Sequence, residues 1–319
     1  MTRIGILSNA HSRRNQSALP AVERLVAEFP EVTHRSFTKM DAMPATLAAL
    51  AQGGVEHLVV NGGDGTVQAV VGELLERSPF PTMPRMTLVG GGMTNVIAHD
   101  VGVPSAPVDA LRRILGQARN GDAGELVRRT SIALTCSGMN RTEYGFLAGA
   151  VGFYQGAHLT RRDMHRVGFR QSLATKAGII WSVMRLLLHG EGERSGLRGE
   201  RVAIGLNGAP PQEAPYLFIL ATTLERLLPG VMPFWGHDHG AIKLTTIASP
   251  APRLGRAALP VVRGRPRPWM QRAGYASTRA DRIALRLTSP VVLDGEVFDP
   301  GPHGLVELST GPVLAFHRY

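Results

Sequence analysis

The sequence predicts an α/β N-terminal domain with a parallel sheet, followed by a β-rich antiparallel C-terminal domain. Strand-like and helix-like patterns alternate up to about residue 125, and short β-rich runs with turn residues between them replace these afterwards. The chain has 319 residues, 44% of them hydrophobic, which is enough for two cores.

Taken in order, RIGILSN (3–9) reads as a buried strand, and ALPAVERLVAEFP (18–30) has apolar residues at helical spacing. DAMPATLAALAQGG (41–54) is a second helix closed by glycines. EHLVVN (56–61) is a strand, and TVQAVVGELLER (66–77) is a helix with Val67, Val70, Val71, Leu74 and Leu75 on one face. RMTLVG (85–90) is a strand, followed by a short helix at 94–102 and a longer one at 107–121. Strands separated by helices of this length imply parallel βαβ units with right-handed crossovers. The first domain is expected to span 1–125, with a tail from about 305–319 packing back on it, and the β-rich domain 126–304. That second part has one helical interlude at 170–190. Its Pro, Gly and Arg-rich stretch at 250–268 reads as a mobile basic insert or a loop with a short helix.

The formal net charge is +10 with a pI near 10.7, and only Lys39, Lys176 and Lys243 are lysines. An arginine-rich chain favours anionic partners: a phosphorylated substrate, an acidic membrane surface or nucleic acid. A solvated arginine surface without a partner is the competing reading. No aromatic-interleaved basic strand or recognition helix speaks for nucleic acid. Cys136 is alone, in a strand-like setting, which fits a core thiol and a reducing cytoplasm. The first residues lack a signal-peptide pattern, and the longest apolar run (177–190) is too short to span a membrane and contains Arg185. The expected location is cytoplasmic, with peripheral visits to the inner membrane face. Nothing in the pattern fixes an oligomeric state.

The chemistry concentrates in glycine loops. GGDGT (62–66) follows a strand and opens a helix, where backbone N–H groups approach phosphate oxygens and the helix dipole adds attraction. Thr66 is placed to cap that helix or to bond a phosphate. Asp64 repels phosphate, so its carboxylate is explained by Mg²⁺ bridging to a polyphosphate, against an ordinary glycine turn as the alternative. No Walker A lysine pattern exists in the chain. VGGGMTN (89–95) is a second glycine-rich turn after the next strand, and two such turns form one crevice at the carboxyl ends of a parallel sheet. Asn9 and Ser12 follow the first strand at the same edge, and Arg13 and Arg14 read equally well as a solvated loop. PVVLDGEVFD (290–299) reads as a hairpin with Asp-Gly at its turn, and a rigid carboxylate there also suits proton abstraction from a hydroxyl.

VVNGGDGTVQAVVGELL, the second glycine-Thr-Asn turn and the late DGE resemble the diacylglycerol kinase catalytic-domain family, which includes bacterial soluble lipid kinases and the sphingosine and ceramide kinases. The resemblance extends in order and spacing over nearly the whole chain. It implies an NAD kinase/diacylglycerol kinase-like fold, ATP and Mg²⁺ as cofactors, a lipid substrate and a catalytic cleft. Carried onto this chain, Gly62, Gly63, Asp64, Gly65 and Thr66 form the nucleotide loop, with Asn9, Thr38, Gly92, Thr94 and Asn95 as further nucleotide contacts. Glu296 is implied as the general base, and Asp294 as the residue that supports the metal or orients that base.

The chain departs from the family pattern in lacking the Pro and Gly of the first loop. It has Met93 and Val96 in the second turn and Gln68-Ala69 after GGDGT. Only GHDHG (236–240) offers a carboxylate, Asp238, for a structural metal, against an exposed polar turn as the alternative. Segment 170–190 is expected at an anionic bilayer, along an acyl chain or packed on the β domain. Arginines 253, 256, 263, 265 and 267 suit acidic lipids. Two other functions stay open: an NAD kinase, and a catalytically inactive basic protein at a membrane surface.

Overall fold

The computed structural model describes residues 2–103, 105–156 and 197–319, so the helix expected at 170–190 lies outside the described residues. Two compact units are present: Met1–Arg129 with Pro312–Tyr319, and Thr130–Gly311. The division falls after residue 129 rather than 125, and the returning tail begins at 312 rather than 305.

In the first unit, β1 (Ile4–Asn9), β2 (Thr33–Phe37), β3 (His57–Gly62) and β4 (Arg85–Gly90) pair in parallel in the order β4-β3-β1-β2. The end of β15 (Leu305–Arg318) joins β4 in parallel at Phe316 and Met86. β1 and β3 are buried almost throughout, as continuous apolar runs covered on both faces must be. Alternate residues Ile4, Ile6, Val59 and Val89 share a core with α1 (Asn15–Ala27) and α5 (Pro107–Arg119). α2 (Met43–Gln52) and α3 (Asp64–Glu76) contact each other and pack along the strands. Full burial of each Leu or Val stabilises the unit by about 1.5–3 kcal/mol. Strand β2 goes beyond the sequence reading. Its residues THRSF are largely polar and only Phe37 is buried, because an edge strand needs little apolar surface.

The second unit is antiparallel. β7 (Leu147–Val151), β8 (Glu200–Leu206) and β10 (Ile242–Ala248) all pair with the long β9 (Gln212–Thr222). β11 (Tyr275–Ala280) extends β10, β12 (Arg282–Arg286) joins β8 to the first half of β15, and β5 (Glu125–Cys136) pairs β6 (Glu143–Gly145). β13 (Val291–Leu293) and β14 (Glu296–Phe298) form a hairpin placed beside β7. Of the two readings of 250–268, the structure has the loop with a short helix. The stretch supplies α6 (Leu254–Val262) and leads into α7 (Pro268–Arg272), and Leu254, Ala257, Val261, Val262 and Met270 lie in a core with Leu217, Ile247 and Tyr275. Apolar residues at helical spacing within an arginine-rich stretch anchor it.

Candidate active site

Three loops of the first unit leave the carboxyl ends of β1, β3 and β4. They are joined by short polar ties rather than held apart. Asn15, fully buried at the start of α1, donates from Nδ2 to Asn9 O at 2.9 Å and to Asn61 O at 3.0 Å. Gly91 N donates to Gly62 O at 2.9 Å, Arg14 N to Gly91 O at 2.8 Å, and Gly63 N to Ser12 Oγ at 3.2 Å. Asn15 was missed in the sequence, where its only signal is an amide residue opening a helix just after β1.

This nesting explains the glycines. A Cβ on Gly92 would lie 2.6 Å from Gly63 Cα, and one on Gly62 would lie 2.6 Å from Thr66 Cβ. Neither Gly62, Gly63 nor Gly92 has a positive φ. Their lack of side chain serves loop-on-loop packing, and the backbone access to a ligand follows from it. Gly63 and Gly65 stay partly exposed at the start of α3, where first-turn N–H groups have no partner four residues back.

Thr66 does not cap α3. The helix begins at Asp64 with Gly63 as N-cap, and Thr66 Oγ1 instead accepts from Asn9 Nδ2 at 2.9 Å. Asn9 Oδ1 accepts from His11 N at 3.0 Å. Thr38 is exposed just past the end of β2, one strand over from Asn9, which pairs with Phe37. Asn95 takes φ +50 and folds its loop on itself, accepting from Gly92 N at 2.8 Å and donating to Gly92 O at 2.9 Å. Beside it the buried Thr94 Oγ1 has no protein partner among the described residues.

Asp64 has a structural task. It is 5% exposed, and its Oδ1 accepts from Ile97 N at 3.0 Å, in the first turn of α4 (Val96–Val101). The far end of α4 is held by a bidentate pair, Arg129 to the buried Asp100, at 2.6 and 3.1 Å. Asp64 thus ties the start of α3 to the start of α4, and one of its oxygens is already committed. Among the described residues no three His, Cys, Asp or Glu side chains converge to hold a metal. Asp238 accepts from Thr278 Oγ1 at 2.6 Å. The partly exposed Gly65 in the first turn of α3 and the orphaned Thr94 hydroxyl fit a polyphosphate. Among the described residues the carboxylates do not make a protein-built magnesium site.

In the second unit, Asp294 and Gly295 have φ +47 and +96, the two positive values a two-residue hairpin turn requires. Asp294 is buried and accepts from Phe146 N and Leu147 N, both at 2.9 Å, which locks the turn onto β7. Glu296 is exposed at the start of β14, opposite Leu293. Leu293 pairs Ala148, and in the adjacent register row Thr222 bonds Phe146 O at 2.7 Å and pairs the buried Lys243, which reaches Leu224 O and Glu225. Lys243 was not singled out in the sequence, although being one of three lysines was a signal. Cys136 is buried, and burial first, then Asp299, pushes its thiol up to about 11, as suits a core thiol. Asp294→Asn turns one acceptor into a donor facing a backbone N–H. It is expected to cost about 1–3 kcal/mol in urea unfolding with the secondary structure retained, and an unchanged midpoint would contradict this role.

Residues 3–126 match the family described as diacylglycerol kinase catalytic domain. A protein of Chromohalobacter salexigens, provisionally named a YegS-like lipid kinase, is 30% identical over 113 residues, which cover 34% of this chain and 36% of that relative. A solved structure from Bacillus anthracis str. Sterne, provisionally titled a diacylglycerol kinase, aligns with 99% of this chain and 97% of its own at 16% identity and a TM-score of 0.67. Another Bacillus anthracis structure, titled a diacylglycerol kinase, covers 98% and 93% at 15% identity and a TM-score of 0.60. At such identities the likeness shows the fold, which is the expected parallel α/β part with an antiparallel second part.

Proposed function

We propose that the chain is an ATP-dependent lipid kinase that phosphorylates a hydroxyl of a lipid such as diacylglycerol, ceramide or a sphingoid base. One observation carries the reading. The stretch that matches the diacylglycerol kinase catalytic domain is also the stretch whose nested loops leave Gly65 partly exposed at the start of α3 and a buried Thr94 hydroxyl without a protein partner among the described residues at one sheet edge. ATP supplies the transferable phosphoryl group. Gly65, in the first turn of α3, receives a phosphate oxygen through its N–H group, with Thr94, Asn95, Asn9 and Thr38 as neighbouring contacts. Asp64 holds the two loops in register through Ile97. Glu296 takes the proton from the acceptor hydroxyl, and Asp294 fixes the hairpin that presents Glu296.

The test is incubation of the purified chain with ATP and separate arms of diacylglycerol, ceramide, sphingosine and NAD, with products identified by mass. A phosphorylated lipid is expected. A phosphorylated NAD alone, or no product in any arm, overturns the proposal.

The second part of the reading is peripheral binding to an anionic membrane. Arg253, Arg256, Arg263, Arg265 and Arg267 are exposed around α6, and Leu259 between them is 55% exposed. Each arginine contributes about 1 kcal/mol at an anionic surface. The variant Arg256→Glu/Arg263→Glu is expected to bind phosphatidylserine vesicles at least about thirty-fold more weakly in co-sedimentation. Equal sedimentation of variant and parent would remove this surface from the account.

A further inference from the structure

The first unit holds a cavity of about 630 Å³ that none of the loops described above lines. It lies at the amino ends of the strands, since His57 and Arg85 open β3 and β4, whereas the glycine loops leave the carboxyl ends. Its volume is within the range of small-molecule sites. Phe29, Val32 and Leu115 give it apolar walls, and Tyr319 stacks on the His57 ring with 12° between the planes.

His57 is the unusual group there. It is 4% exposed, and burial first, then His317 and Arg85, lowers its pKa to about 4, so the ring is neutral and carries one N–H. The hydrogen bonds fix which nitrogen bears it. Thr87 Oγ1 donates its only proton to His317 O at 3.0 Å, so at 2.8 Å it accepts from His57 Nε2. Nδ1 is therefore a bare acceptor, and it has no protein partner among the described residues. Nδ1 is not sealed from solvent, so a donor in the cavity would take the place of a water at it.

The charges at the cavity differ in their engagement. Arg119 is paired to Glu31 at 3.0 Å and lies over the Phe29 ring at 4.5 Å. Asp122 accepts from Gly124 N at 2.9 Å. Arg85 is exposed and has no carboxylate partner among the described residues.

We propose that this cavity is a second ligand site, separate from the glycine loops, for a small aromatic anion bearing an N–H or O–H donor. The donor bonds His57 Nδ1, the ring lies against Phe29, Val32 and Leu115, and the anionic group faces Arg85.

The test is titration calorimetry of the full chain with indole-3-carboxylate and with 2-naphthoate, which has the same charge and similar size but no N–H. Saturable binding of the indole acid with Kd below about 1 mM is expected, with 2-naphthoate about tenfold weaker. Arg85→Ala is expected to weaken the indole acid about tenfold, and Ala118→Trp, which fills the cavity, to abolish its binding. Both positions spare the His57 hydrogen bonds, so folding is checked by an unchanged unfolding midpoint, and His57→Phe adds a third variant where it folds. No saturation, equal affinity for the two acids, unchanged affinity in both Arg85→Ala and Ala118→Trp, or displacement by ATP would each overturn the proposal.

Discussion

Glu296→Gln is expected to leave the fold intact and to lower lipid phosphorylation by a factor of about 100 to 10,000. The side chain is exposed and makes no hydrogen bond or ion pair among the described residues, so the protein loses nothing when it becomes an amide. The hairpin that carries it is set by other atoms. Asp294 and Gly295 supply the turn conformation, and the Asp294 carboxylate binds the backbone of Phe146 and Leu147. The substituted amide would therefore stand where the Glu296 carboxylate stands, with the same reach and no ability to accept a proton. Turnover per enzyme at saturating lipid, together with the unfolding midpoint, checks this. Glu213→Gln is the control, because Glu213 is another exposed carboxylate of the same unit, paired only to Arg201. Loss in Glu296→Gln with Glu213→Gln unaffected supports the assignment. Parental turnover in Glu296→Gln would sink it.

The parallel part was readable because β1, β3 and β4 are buried on both faces and so appear as unbroken apolar runs between amphipathic helices. β2 was not, because an edge strand with one buried residue has no periodicity to detect. The Asp-Gly hairpin was legible from its turn chemistry alone, whereas the two backbone partners of Asp294 lie almost 150 residues away in sequence and leave no local trace. The same limit applies to Asp64. Its position after a strand suggested a ligand, and nothing local showed that one of its oxygens accepts from Ile97 N, a tertiary contact across two loops. The arginine-rich stretch at 250–268 was legible only as a choice between a mobile insert and a loop with a short helix, and the structure has the helix. Its Pro, Gly and Arg content suggested mobility, and the spacing of Leu254, Ala257 and Val261 decided that it packs.

Gly92→Ala and Gly72→Ala test the explanation of the glycines against each other. One methyl group is added in each, and the surroundings differ. At Gly92 the new carbon would sit 2.6 Å from Gly63 Cα and 2.9 Å from Asn95 Oδ1, so backbone must move and the bond from Gly92 N to Asn95 is strained. Overpacking of this kind costs about 1–3 kcal/mol. The displacement falls on the loops that carry Gly63 and Thr94, so ATP affinity should fall at least about tenfold as well, by the loss of one charge-assisted hydrogen bond. Gly72 lies inside α3 with nothing within 4 Å of the added carbon. There the methyl group meets no neighbour and removes the conformational freedom of glycine from the unfolded chain, which stabilises by about 0.5–1 kcal/mol. Opposite signs in the two unfolding midpoints, with ATP affinity reduced only in Gly92→Ala, are the expected result. If Gly92→Ala matched the parent in both measurements, the glycines would not be there to let the loops nest, and the account of how this sheet edge exposes its N–H groups would have to be replaced.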